Sequence, residues 1–176
     1  MKPVYLLTGQ PGTGKTSLII EVASGMKGKA GGFYTEEIRS QGVRQGFRLV
    51  TLEGQSAVLS HINFPSRYRV GKYGVDVDSL DKVGVAALNQ AVMECQLVVI
   101  DEIGKMELLS VKFREAVENM LNSGKRLLGT IMLKPQPYAD AIKRRPQVHL
   151  VTVTRDNHQP VLAELREWLN APPPSR

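Results

Sequence analysis

Eight residues near the N-terminus, Gly9-Gln10-Pro11-Gly12-Thr13-Gly14-Lys15-Thr16, set glycines, a lysine and a hydroxyl at the spacing G-x-x-x-x-G-K-[ST]. Glycines let successive backbone N–H groups converge on one point, and a helix starting behind them adds its partial positive charge. The result is a cradle for phosphate. Lys15 is placed to reach the β- and γ-phosphates of a nucleotide, the Thr16 hydroxyl to join the shell of a Mg²⁺ ion, and Ser17 to donate to the α-phosphate. The competing explanation is a chance glycine turn, and the four fixed positions should recur by accident in roughly one chain of this size per hundred. The apolar run Val4-Tyr5-Leu6-Leu7 ahead of the loop and the helical stretch Leu18-Ile19-Ile20-Glu21-Val22 behind it supply the strand–loop–helix setting that the chemistry demands.

Such a loop needs a second oxygen ligand for the metal. Asp101-Glu102 follow Leu97-Val98-Val99-Ile100, a run that reads as a buried strand with its C-terminal end on the same sheet edge as the loop. Asp101 is therefore the expected partner of Thr16 in holding Mg²⁺. A carboxylate beside that ligand, Glu102, can accept a hydrogen bond from water and aim it at the γ-phosphorus. It can also be a solvated strand-end charge or a contact to another substrate's sugar. Lys105 in the following loop either stabilises charge developing on the γ-phosphate or is solvated. The expected catalytic set is thus Lys15, Glu102 and Lys105, with Glu107 reading as the neutraliser of a neighbouring base.

These residues need a scaffold. The chain has 176 residues, 42% hydrophobic and 23% charged, which predicts one globular domain and excludes disorder of the whole chain. Short apolar runs alternate with helical periodicity, so the expected fold is α/β with a mostly parallel central sheet. From about Gly31 to Val77 the texture changes: two runs, Phe33 to Arg39 and Gly46 to Leu52, flank Ser40-Gln41-Gly42 as in an antiparallel hairpin, and Ser56 to Ser60 adds a short strand. A helix capped near Asp78 or Ser79 carries Leu80, Val83, Leu88, Ala91 and Cys95 on one face. A second apolar stripe runs from Phe113 to Leu121, strands are expected at Leu127 to Met132 and Val148 to Val153, and a last helix buries Val161, Leu165 and Trp168. The domain is expected over 1–170, with Ala171-Pro172-Pro173-Pro174-Ser175-Arg176 as a Pro-rich tail.

Four stretches together resemble a known family, the P-loop nucleoside-triphosphatases named for thermophile members, whose animal relative is called the cancer-related nucleoside-triphosphatase. They are Gly9 to Thr16, Gly32-Phe33-Tyr34-Thr35-Glu36-Glu37-Ile38-Arg39, Gly46-Phe47, and Asp101-Glu102-Ile103-Gly104-Lys105-Met106-Glu107-Leu108. The resemblance implies a RecA/AAA+-like three-layer sandwich and Mg²⁺-dependent hydrolysis of ATP, GTP, CTP and UTP to the diphosphate and phosphate. Family members commonly carry Asn-Arg before the last helix, where this chain has Asn157-His158. That region is a candidate base-side contact, so Asn157 is carried over as nucleotide-binding while base preference stays open.

Other features divide between structural and functional readings. In a strand, Thr35, Glu37 and Arg39 share one face. Either they are a polar wall beside the phosphates, with Glu37 or Arg39 assisting water or the γ-phosphate and Arg39 as the nucleotide-binding member, or Glu37 or Glu36 forms a cross-strand salt bridge to Arg44 or Arg48. Arg67, Arg69 and Lys72, interleaved with Tyr68 and Tyr73, read as a lid, a nucleic-acid contact or a solvated loop. A single cysteine, Cys95, excludes an intrachain disulfide framework, and His61, His149 and His158 show no zinc spacing. No run is long and apolar enough to span a membrane, so a cytoplasmic monomer is expected. The net charge of +6 calls for an anionic partner, for which a nucleoside triphosphate suffices and nucleic acid is not required. Two rival functions remain: a nucleotide or nucleoside kinase, whose clustered lid arginines are replaced here by Lys134-Pro135-Gln136-Pro137, and an NTP-dependent RNA-associated switch.

Overall fold

The computed structural model of the chain describes residues 1–26 and 28–172. Positions 173–176 of the expected tail lie outside the described residues. The first strand, β1 (Val4–Thr8), delivers the glycine loop to α1 (Lys15–Ser24). Five strands follow without an intervening helix: β2 (Ala30–Ser40), β3 (Val43–Thr51), β4 (Ser56–His61), β5 (Arg69–Val70) and β6 (Tyr73–Val75). A helical stretch then runs through α2 (Val77–Ser79), a π-helical segment Leu80–Val85 and α3 (Ala86–Glu94). The remainder alternates as β7 (Leu97–Ile103), a 3₁₀ turn Glu107–Leu109, α4 (Val111–Asn122), β8 (Arg126–Ile131), α5 (Pro137–Lys143), β9 (Val148–Thr152) and α6 (His158–Asn170).

All nine strands join one sheet in the order β5-β6-β4-β3-β2-β7-β8-β1-β9. The pairings β2–β7, β7–β8, β8–β1 and β1–β9 are parallel. Those of β2–β3, β3–β4, β4–β6 and β5–β6 are antiparallel. This corrects the expectation of a mostly parallel sheet, because half of the ladders are antiparallel. The reason is connectivity: parallel neighbours need a crossover of a dozen or more residues, usually a helix, and the stretch from β2 to β6 contains only turns. At the tightest of these, Gln41 and Gly42 adopt φ of 48° and 76°, the left-handed pair that suits a two-residue hairpin.

Alternation along β1 shows how the sheet is covered. Val4 and Leu6 point into a core shared with Leu88, Phe113 and Val117, while Tyr5 and Leu7 point into one shared with Leu18, Val161 and Trp168. Helices α1 and α6 thus cover one face of the parallel half, and α3 and α4 cover the other. The helix after β6 is capped by Asp76, whose side chain accepts from the Ser79 amide at 2.9 Å and the Ser79 hydroxyl at 2.8 Å. The cap therefore lies two to three residues earlier than expected. Asp78 is exposed and pairs instead with Lys82 at 2.7 Å. Among the described residues no helix is long and apolar enough to cross a membrane.

Candidate functional site

The loop between β1 and α1 takes its shape from glycine at two positions in particular. Gly9 has φ of 146°, and a Cβ there would run into the carbonyl oxygen of Val153 at the end of β9. Gly14 caps α1 with φ of 88°, and its Cβ would sit 3.0 Å from the His158 ring. Lys15, the first residue of α1, folds back over the loop. Its ammonium donates to the carbonyls of Gly9 at 3.0 Å and Gln10 at 2.8 Å. Partial burial lowers its pKa, an effect that Glu102 and Asp101 oppose.

Asp101 sits near the C-terminal end of β7 and is only 2% exposed. Both of its carboxylate oxygens are engaged: Oδ2 accepts from the Thr16 hydroxyl at 2.8 Å and Oδ1 from the Thr130 hydroxyl at 2.5 Å. Burial raises its pKa, while Thr130, Thr16, the Thr35 backbone and Lys15 favour the charged form. Thr130, on β8 between β7 and β1, is a site residue that spacing did not single out. A hydroxyl inside the apolar run Leu127-Leu128-Gly129-Thr130-Ile131 was the available signal.

Glu102 follows across a cis peptide bond, at a register shift of β7 against β8 between Ile100 and Ile103. Its carboxylate rests against Gly104, where a Cβ would collide with Oε1 and lie 2.8 Å from Cγ. Burial and then Asp101 raise its pKa, and Lys15 lowers it. Glu107 is 5% exposed, and burial followed by Glu102 holds its carboxyl well above the usual carboxylate range. No ion pair joins it to a base among the described residues, so its expected neutralising role has no partner here.

Lys15, Thr16, Asp101 and Glu102 open onto one cleft of about 630 Å³. Its floor holds Lys15, Thr16, Ser17, Asp101, Glu102 and Lys105. The hairpin of β2 and β3 walls it with Thr35, Glu36, Glu37, Arg44 and Phe47. Opposite stand Met132, Leu133 and Lys134. Gly9, Gln10, Pro11, Gly12 and Gly14 line it from the loop, while the Thr13 hydroxyl turns inward to the Gln10 carbonyl at 3.0 Å. Besides Thr13, two more expected nucleotide-binding residues stand outside this lining. Arg39 donates through Nε to Glu37 at 2.7 Å and through Nη1 to the Gly42 carbonyl at 2.8 Å. Asn157 closes the turn before α6, accepting from the Thr154 amide at 2.8 Å and donating to the Thr152 carbonyl at 2.9 Å. The neighbouring His158 is the residue that reaches the glycine loop.

A family model described as NTPase matches residues 4–166. The chain belongs to this NTPase family. Nucleoside-triphosphatase THEP1 of Thermotoga sp. (strain RQ2) is 46% identical over 160 residues, covering 91% of each chain. The cancer-related nucleoside-triphosphatase homolog of Mus musculus is 40% identical over 175 residues, with 90% of this chain and 92% of that one covered. Among solved structures, THEP1 from the hyperthermophile Aquifex aeolicus superposes with a TM-score of 0.89 at 34% identity, over 96% of this chain and 99% of that one. A human cancer-related nucleoside triphosphatase gives 0.80 at 36% identity, over 97% and 98%.

Within this NTPase-family chain the basic segment around Arg67 is engaged with itself. Arg67 lies 4.8 Å from the Tyr68 ring centroid, Lys72 lies 5.5 Å from that of Tyr73, and Arg69 donates to the Lys72 carbonyl at 2.8 Å. These residues form and flank the β5–β6 hairpin at the outer edge of the sheet. In the region where kinase lids carry arginines, Gln136 caps α5 by accepting from the Ala139 amide at 2.7 Å. No group of three or more His, Cys, Asp or Glu among the described residues could hold a metal by itself. Mg²⁺ in NTP sites takes only one or two protein oxygens, with phosphate and water completing its shell. The oxygen pair of buried Asp101 and half-buried Thr16 fits that requirement.

Proposed function

We propose that this chain is a Mg²⁺-dependent nucleoside-triphosphatase that cleaves the β–γ bond and releases nucleoside diphosphate and phosphate. The observation that carries the reading is the cluster in which Asp101 is fixed by Thr16 and Thr130 while Glu102 and Lys15 face the same cleft. The parallel half of the sheet, with helices on both faces, supplies a RecA/AAA+-like frame for it. Bound Mg²⁺, held through Thr16 and Asp101, would neutralise charge on the β- and γ-oxygens. Lys15 and the loop amides bind the phosphates, and Ser17 donates to the α-phosphate. Glu102 accepts a proton of the attacking water and directs its oxygen at the γ-phosphorus as the bond to the β–γ bridging oxygen breaks. Lys105 adds positive charge within the cleft. Broad tolerance of the base is part of the proposal, supported by relatives whose names specify nucleoside triphosphates without naming a base.

Phosphate release from ATP, GTP, CTP and UTP, measured with Mg²⁺ and again with excess EDTA, tests this. All four should yield equimolar diphosphate and phosphate with water as the only acceptor, and EDTA should stop the reaction. Turnover that appears only when a nucleoside or nucleotide acceptor is added would establish the kinase instead. Turnover that rises with RNA in a salt-sensitive manner would establish the switch.

Gly104 offers a further check on Glu102. Gly104→Ala places a methyl group where the Glu102 carboxylate now lies, displacing that side chain by an ångström or so. Since misplacement on that scale can cost about 10²-fold in rate, kcat should fall by about that factor. Affinity for a fluorescent nucleotide should stay within about twofold, because the phosphate loop is untouched. Unchanged kcat would remove Glu102 from the reacting centre.

A further inference from the structure

Arg39 and Arg44 occupy opposed positions on β2 and β3, next to the register shift between Ile38 and Arg39. Like charges set directly across a sheet repel, and here one carboxylate lies between them. Glu37 binds both arginines, but unequally. Its Oε2 takes Arg39 through Nε at 2.7 Å and Nη2 at 2.5 Å, whereas its Oε1 takes Arg44 through a single contact of 3.1 Å. Arg39 is also tied to backbone at the Gly42 carbonyl and lies outside the cleft. Arg44 has no such anchor: its guanidinium carbon lies 5.3 Å from the Phe47 ring centroid, and both residues line the cleft that holds Lys15 and Glu102. Its side chain is 44% exposed, and ion pairs at that exposure hold weakly.

We propose that Arg44 is a phosphate-contacting residue of this site, handed over from Glu37 to the terminal phosphates when a triphosphate binds, and that Arg39 makes the handover possible. The argument rests on the reading of the cleft as a triphosphate site. A planar guanidinium matches phosphate oxygens bidentately, a better partner than the one oxygen Glu37 offers. When Arg44 leaves, Glu37 is not stranded, because the two-point contact from Arg39 still neutralises it. Arg39 is thus a positioning residue that never meets the substrate. Glu37 is a keeper that holds Arg44 beside the cleft without satisfying it. The Phe47 ring gives the guanidinium a surface on which to turn.

Steady-state kinetics with MgATP on five variants tests the handover. Arg44→Ala should lower kcat/KM by about 10²-fold or more, and Arg44→Lys should recover only part of the loss because an ammonium lacks the fork. Arg39→Ala should raise KM two- to fivefold with kcat nearly unchanged, since Glu37 then has Arg44 as its only partner. Glu37→Gln should lower KM by a similar factor. In the double variant Arg39→Ala/Glu37→Gln, loss of Arg39 should have no further effect, because Arg39 acts only through the Glu37 charge. Thermal melts of each variant separate loss of fold from loss of function. Either of two results overturns the inference: Arg44→Ala within twofold of the unmodified chain, or an Arg39→Ala effect on KM that persists undiminished beside Glu37→Gln. If the unmodified chain releases no phosphate from NTPs, the triphosphatase reading itself fails, independently of these comparisons.

Discussion

Lys15→Ala is expected to reduce phosphate release from NTPs by about 10³-fold, with KM rising as kcat falls. The size follows from where the ammonium sits. It is held over the loop by the carbonyls of Gly9 and Gln10, in the cleft shared with Asp101 and Glu102. A triphosphate of roughly −4 must enter beside those two carboxylates, and charge moves further onto the β–γ oxygens as the bond breaks. Removing one preorganised donor from developing charge costs about 10²–10³ in rate, and the lost ground-state attraction adds to that. The fold should survive, because Lys15 is only partly buried and Gly9 and Gln10, whose carbonyls it releases, line the cleft, which water can enter. Phosphate assays paired with a thermal melt separate these effects. Activity within about tenfold of the unmodified chain would place the principal phosphate cation elsewhere, at Lys105 or Arg44.

Glu102→Gln should have a comparable effect on kcat and a contrary one on binding. The amide matches the carboxylate in shape and keeps the packing against Gly104, but it cannot accept a proton from water. Losing general-base assistance typically costs 10²–10⁴-fold, and a drop of about 10³-fold is expected. Nucleotide affinity should hold or improve, because a negative charge beside the phosphates has been removed. The same substitution also eases the burden on its neighbours. Glu102 lifts the pKa of the buried Glu107, so neutralising it makes that carboxyl easier to ionise. Single-turnover hydrolysis and equilibrium binding of a slowly hydrolysed analogue give the two quantities separately. Retained hydrolysis would mean that another residue positions the water.

The parallel half of the fold was legible because its signals are local. The run Val4 to Leu7, the stripe from Phe113 to Leu121 and the face carrying Val161, Leu165 and Trp168 all appear at the spacing expected, since one buried face imposes one period. The β5–β6 hairpin was missed for the opposite reason. With strands of two and three residues, Arg69–Val70 and Tyr73–Val75, it presents too little alternation to register against its charges. The π-helical segment Leu80–Val85 was equally invisible, because after Leu80 it buries Gly84 and Val85 rather than the Val83 that a 3.6-residue template selects.

At the candidate site, stretches that carry their own spacing are legible, and with them the Thr16–Asp101 pair, whereas contacts from residues with no motif of their own are not. The glycine loop and Asp101-Glu102 each carry their own spacing. Thr130 reaches Asp101 only because β8 lies between β7 and β1, a neighbour relation no local pattern encodes. Arg39 reads as the ligand-facing member of the stretch Thr35 to Arg39, yet the bonds to Glu37 and Gly42 hold it outside the cleft lining. Asn157 fell to the same limit: its side chain serves the turn, and the next residue meets the loop.

The position of β1 has a consequence for how the protein is made. That strand is translated before the other eight of its sheet, yet its two neighbours are β8 and β9, more than a hundred residues later in the chain. Chains emerge from the ribosome N-terminus first, at about 5–20 residues per second. Until β8 and β9 have been made the glycine loop therefore has no neighbouring strands to stand on, and Gly9 has no Val153 to close against. The antiparallel hairpins from β2 to β6 can zip as they appear, since each pairs with a near neighbour in sequence. The candidate cleft, whose glycine loop is made early, becomes whole only after β8 and β9 have followed.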